Sequence, residues 1–218
     1  MIFDYTVIWE NLPLYISGVG VTLKILLISL ACGLALAIPL GLMRVSKSPL
    51  VNFPAWLYTY VIRGTPMLVQ LFLIYYGLPQ WGVRMSPFTV AFIGFTLNVA
   101  AYNAAYLTTA FNGMDATELE AAHAQGFSDG QVFRYITLPQ VLRLSVPALT
   151  NQVIGNLKDS SVAFLIQYTE FFARVQELAA TNFQFFKAYL FAALVYLAIV
   201  SLIVVIARMI EKRICIIG

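Results

Sequence analysis

The chain has 218 residues, 61% of them hydrophobic and 11% charged, with a net charge of +3. Soluble domains are about 45–50% apolar, so this composition, with a mean hydropathy of +0.82, excludes an ordinary soluble domain and implies an all-α integral membrane protein. At about 20 apolar residues per spanning helix the length admits five or six spans with short connections, so residues 1–218 form a single transmembrane domain. The basic residues lie at the ends of apolar runs, which argues for a lipid bilayer as partner and against nucleic acid.

In chain order, MIFDYTVIWENLPLY carries Asp4 and Glu10 and no basic segment, unlike a cleaved signal peptide, so the first apolar run is expected to stay as a helix. Five hydrophobic segments follow, at roughly 19 to 43, 66 to 82, 88 to 111, 143 to 171 and 187 to 209. The second is barely long enough to cross, and FPAWLYTYVI at 53 to 62 is expected to lie at the interface before it. Between them, Thr65 is expected to cap a helix that starts at Pro66, where a proline lacks only an amide that has no partner anyway. Gly18-Val19-Gly20 has no third glycine and no preceding strand, and no Walker A pattern occurs, so the chain carries no nucleotide site of those types. Cys32 and Cys215 have neither metal-ligand spacing nor a partner in each other. His123 is the single histidine and makes no metal site.

Five spans place the termini on opposite sides. Arg44, Lys47, Arg63, Arg134, Arg143, Arg208, Lys212 and Arg213 fall on one side, against Lys24, Arg84, Arg174 and Lys187 on the other, eight to four. The excess marks the cytoplasmic side, so the N-terminus is expected outside and the C-terminus in the cytoplasm. The polar loop at about 113–142 then faces the cytoplasm. In it, Thr117 with Glu120 and Ser128 with Gln131 have capping-box spacing, Gly126 can end the first helix in a left-handed conformation, and Pro139 is expected to close the unit. Asn112 and Gly113 mark the end of the third span.

The fourth span contains NQVIGNLKDSS at 151 to 161. Lys158 and Asp159 would each cost about 2.5–3.5 kcal/mol at the centre of a lipid-exposed helix, so they are expected to face something other than lipid. Asn151, Gly155, Lys158 and Asp159 share about a third of the helix circumference, with Gln152 at its edge. Such a face either lines a path or seals against neighbours as an internal pair or subunit contact. For a zwitterionic substrate Lys158 offers a cation, Asp159 an anion, and Ser160 and Ser161 neutral partners. Asn98, in the third span, is a further path candidate, with helix–helix hydrogen bonding as its alternative.

Glu120, Ala121, Ala122, Gly126, Ile136, Leu138 and Pro139 match, in identity and gaps, the seven fixed positions of the EAA loop of ATP-binding-cassette (ABC) importer permeases. Arg63-Gly64-Thr65-Pro66, Ile74-Tyr75-Tyr76-Gly77-Leu78-Pro79 and Lys158-Asp159-Ser160-Ser161 further resemble the polar amino-acid permeases of that family, of the histidine, glutamine and cystine type. The resemblance covers nearly the whole chain. It implies the type I importer permease fold of five transmembrane helices, with the loop as a coupling helix that docks on a separate ATPase. It also implies a second permease subunit, identical or related, two ABC ATPase subunits, and an extracytoplasmic amino-acid-binding protein. ATP and magnesium would belong to the ATPase, leaving this chain without cofactor, metal or catalytic residue. Ala105 and Thr108 stand where members often carry a glutamate and an arginine, so no role of those charges carries over. Residues 61 to 83 point toward cystine, with glutamine, arginine and histidine open. An autonomous channel or ion-coupled carrier is the competing reading, and an ordinary capped helical hairpin is the competing reading of the loop.

Overall fold

The computed structural model describes residues 6–215. Asp4 and the side chains of Arg213 and Cys215 lie outside the described residues. A short helix α1 (Thr6–Glu10) leads into α2 (Leu12–Arg44), whose 33 residues span about 50 Å at 1.5 Å each. Small side chains recur along one face of α2: Gly18, Thr22, Ser29, Gly33, Ala37 and Gly41 are all buried. Ile16, Leu27, Leu36, Ile38 and Leu42, on the other face, are exposed. A stripe of small residues lets two backbones approach closely where apolar burial alone gives no preference for protein over lipid. The partner is α5 (Pro87–Asn112). A β-carbon on Gly33 would lie 2.4 Å from Cγ1 of Val99 and 3.1 Å from the Thr96 carbonyl oxygen. The face of α5 that receives α2 and its neighbours is accordingly rich in alanine, with Ala91, Ala100, Ala101 and Ala104 fully buried.

Between these helices, α3 (Pro49–Gly64) and α4 (Met67–Phe72) meet at a bend of 103° measured over Pro49–Gly64 and Met67–Trp81. Pro66 drives Thr65 into an extended conformation (φ −115°, ψ 141°) and so ends α3. Here the capping expectation is corrected. α4 begins at Met67 with Pro66 as its cap residue, and the Thr65 hydroxyl donates back to the Val61 carbonyl at 2.9 Å. The Gln70 amide stabilises the corner by donating to the carbonyls of Ile62 (2.7 Å) and Thr65 (3.0 Å), which would otherwise be orphaned in an apolar setting. After α4 the chain widens to a π-turn at Leu73–Gly77 and tightens to a 3₁₀ turn at Leu78–Trp81 before α5.

The loop after α5 holds α6 (Ala116–Ala124) and α7 (Asp129–Val132), followed by a π-turn at Phe133–Thr137, α8 (Leu138–Asp159), a 3₁₀ stretch at Ser160–Ile166, α9 (Phe171–Asn182) and α10 (Phe185–Cys215). Two expectations fail here. Pro139 does not close the loop, because the chain runs through it as helix. A proline ring collides with the carbonyl four residues back, and the wider π-turn placed just ahead of it accommodates that misfit. Nor is 143 to 171 one helix: α8 ends at Asp159, and Gln167 adopts a left-handed conformation (φ 62°) at the end of the 3₁₀ stretch.

Helices α2, α5 and α10 (over Phe185–Lys212) are each long and apolar enough to cross a bilayer, and the bent α3–α4 pair has the composition of a fourth span. α8 is 22 residues long but interrupted by polar residues. One apolar cluster joins Ile25, Leu71, Val90, Phe95, Ala163 and Ile166; a second joins Tyr15, Phe171, Val175, Ala179, Ala188 and Ala192.

Candidate transport path and docking loop

The loop is organised by its caps. Asp115, rather than Thr117, caps α6: its carboxylate accepts the Thr117 amide at 2.9 Å. That amide and the Thr117 hydroxyl hold the Asp115 carboxyl below its ordinary range. Glu120 is therefore free of the expected capping role and stays exposed beside Ala121, while Ala122 turns inward. The helix ends as expected at Gly126, whose φ of +87° is left-handed. The Gly126 amide donates to His123 (2.9 Å) and the Phe127 amide to Ala122 (3.2 Å), the paired bonds of a Schellman end. His123 braces the joint, with one ring nitrogen 3.3 Å from the Phe127 carbonyl and the other 3.7 Å from the Asp129 carboxylate. Ser128 then opens α7 with its amide donating to the Gln131 side chain at 2.9 Å, as its capping-box spacing requires. Gln140 reaches across to Glu118, tying α6 to the start of α8. Of the remaining motif residues, Ile136 is half-buried while Leu138 and Pro139 are exposed.

α8 carries two polar faces. Asn151, Lys158 and Asp159 are exposed and Gly155 is partly so, the grouping expected from helical periodicity. Among the described residues no ion pair joins Lys158 to Asp159. The other face is turned into the protein. The Gln152 amide donates to Asn98 Oδ1 (3.3 Å) and to Asn156 Oδ1 (3.2 Å), and all three residues are buried. Asn98 is therefore engaged in a bond between α5 and α8 and does not share the face of Lys158 and Asp159. Asn103 is fully buried nearby, and Asn112 and Gly113 do end α5. Ser160 is buried and Ser161 half-buried, and their hydroxyls donate to the Leu157 and Lys158 carbonyls at 2.7 Å each. Such bonds satisfy carbonyls left over where an α-helix ends, so the Lys158–Ser161 motif sits at the α-to-3₁₀ transition. Ala105 and Thr108, where the resembling family often carries charges, are buried, and the Thr108 hydroxyl bonds within its own helix.

Glu170, like Gln70 at the α3–α4 corner, escaped the sequence reading. Glu170 is fully buried, accepts the Ala173 amide (2.8 Å) as the cap of α9, and accepts the Thr22 hydroxyl (3.1 Å) from α2. Its signal was slight, an acidic residue three positions before Ala173 at the end of an apolar run.

A helical membrane chain whose capped polar loop leads directly into a polar helix has the organisation of a transport subunit. Residues 29–215 match the family of binding-protein-dependent transport system inner membrane components. The chain is 38% identical to a probable amino-acid ABC transporter permease protein, PatM, of Vibrio harveyi, over 92% of each chain. It is 36% identical to the L-cystine transport system permease protein TcyL of Bacillus subtilis (strain 168), over 97% of this chain and 92% of that one. A crystal structure of an amino acid ABC transporter with histidines superposes with a TM-score of 0.91 at 30% identity, covering 98% of this chain and 100% of the other. The chain belongs to this family: it is the membrane-embedded permease component of an ABC importer.

Proposed function

We propose that this permease moves polar L-amino acids inward across the cytoplasmic membrane as one of two paired permease subunits, with its five spans placing the N-terminus outside and the C-terminus in the cytoplasm. Two ABC ATPase subunits, which bind ATP and magnesium, dock on the 113–142 loops through Glu120, Ala121, Ala122, Gly126, Ile136, Leu138 and Pro139. An extracytoplasmic binding protein delivers the substrate. Lys158 and Asp159 present opposite charges to the carboxylate and ammonium of a zwitterion, with Ser161 beside them and Asn98 behind, bracing α8 through Gln152. The names of the similar proteins support an amino-acid substrate, and TcyL supports cystine as the first to test.

The observation that carries the mechanism is the unbroken helical path from Ser128 through the π-turn to Asp159. Displacement of the loop by an ATPase is delivered along one continuous helical segment, with Pro147 inside it, to the polar end of α8. The test is purification of the complex from its host, reconstitution in proteoliposomes with the recovered ATPase and binding protein, and uptake of labelled cystine, histidine, arginine and glutamine. ATP-dependent uptake of at least one of them is expected. Uptake by the permease alone, without ATP or ATPase, would overturn the proposal in favour of a channel or carrier.

A further inference from the structure

Glu170 lies where four elements converge. Its carboxylate accepts the Ala173 amide at the start of α9, the Thr22 hydroxyl of α2, and the Tyr196 hydroxyl of α10 at 3.4 Å. Thr22 is used twice: while its hydroxyl donates to Glu170 it accepts the Phe171 amide at 3.1 Å. One carboxylate oxygen takes the backbone amide and the other the two hydroxyls, so the side chain ties three helices together at once. The backbones are tight at the same place, since a β-carbon on Gly18 would lie 2.8 Å from Phe171 Cα. The Tyr196 side chain lies beside Ser160, and α10 packs against α8. The chain of contacts thus runs from α2 through Glu170 and Tyr196 to the first residue after α8, next to Asp159 and Ser161.

We infer that Glu170 is a positioning residue for the transport path: it pins the return segment 160–170 against α2 and α10 and thereby sets where Lys158, Asp159 and Ser161 stand. This rests on the path assigned above, yet the geometry it concerns is readable without transport. A buried carboxylate that only stabilised α9 would need its amide partner alone; the bonds to two further helices, one of which contacts Ser160, distinguish a clamp from a simple helix cap.

The test uses the full complex in a background with Cys32 and Cys215 replaced by alanine, and a single cysteine introduced by Ser161→Cys. Its modification rate by a small membrane-impermeant maleimide reports the position of the path end, and Trp81→Cys, at a residue 80% exposed, serves as control. Glu170→Ala is expected to raise the Ser161→Cys rate about five-fold or more, and Tyr196→Phe about two-fold, because local opening grows as the pins are removed; the Trp81→Cys rate stays unchanged. Glu170→Asp, which keeps the charge, is expected to restore most of the parental rate. Should Glu170→Ala fail to assemble with the ATPase, Tyr196→Phe carries the test by itself. Unchanged Ser161→Cys labelling in the variants, or an equal rise at Trp81→Cys, overturns the inference. If the complex with its native Ser161 shows no ATP-driven uptake while the labelling shift is present, the transport proposal falls and the clamp stands.

Discussion

Replacing Gly33 with alanine tests the α2–α5 packing most directly. The added β-carbon would meet Val99 Cγ1 at 2.4 Å, Val99 Cβ at 2.5 Å and the Thr96 carbonyl at 3.1 Å. Carbon atoms prefer about 3.5–4.0 Å, so the helices must part by about 1 Å. A gap of that size forfeits a quarter to a half of each contact's attraction, and it would be felt along the small-residue stripe on both sides of position 33. Overpacking of this kind costs about 1–3 kcal/mol, against a gain of about 1 kcal/mol from the higher helix propensity of alanine. A net loss of up to about 2 kcal/mol follows, measurable as reduced resistance of the purified permease to heat or to a denaturing detergent. The partner variants are diagnostic. Val99→Ala removes Cγ1 but leaves a β-carbon 2.5 Å away, whereas Val99→Gly removes both. In double-mutant cycles Val99→Gly should therefore rescue Gly33→Ala substantially better than Val99→Ala does. A stable Gly33→Ala, or equal rescue by the two partners, would refute the packing account.

In the loop, Gly126→Val places a β-branched side chain at φ +87°, and Glu120→Lys reverses an exposed charge; both are expected to uncouple uptake from ATP hydrolysis while membrane insertion is retained, and normal uptake in both would sink the docking assignment. Asp159→Ala should lower substrate-dependent transport about ten-fold or more, equivalent to the loss of a charge-assisted contact, with ATPase association intact by co-purification; dissociation would instead make Asp159 a subunit contact. Because the Asp115 carboxyl is held below its ordinary value of 3.8, its contribution to the α6 start is fully present above that value and is lost as pH falls through its lowered value. Hydrogen exchange at the Thr117 amide, corrected for the intrinsic rate, should accelerate in that acid range in the parent and show no such pH step in Asp115→Asn.

The elements that the sequence exposed were those set by local chemistry. Gly126 and the Ser128–Gln131 pair lie where their conformational preferences put them, and the long apolar runs of α2, α5 and α10 are legible from hydropathy. Choices between equivalent local signals were not. Asp115 and Thr117 are both good caps, and the one used follows from where α5 stops at Gly113. Thr65 is an equally good cap on its own, but Pro66 and the reach of Gln70 commit it to the preceding helix. The run from 143 to 171 reads as one segment despite the polar NQVIGNLKDSS within it, whereas the end of α8 at Asp159 is followed by burial of Glu170 and Phe171 against α2, a long-range contact invisible to any window of neighbours. Asn98 shows the same limit: periodicity places it on a face, and only the approach of Gln152 from α8 shows that its side chain bonds within the protein.

The π-turn at Phe133–Thr137 gives the rod that begins at Ser128 an angular phase. A π-turn winds one more residue than an α-helical turn does, and each residue of an α-helix advances about 100° about the axis. The extra residue therefore rotates everything before it, relative to everything after it, by roughly that angle. The outward face of the loop and the Lys158–Asp159 face of α8 are set like two cranks keyed to one shaft. Deleting a single residue between 133 and 137 would re-key the shaft, leaving both cranks intact in composition and pointing them in unrelated directions.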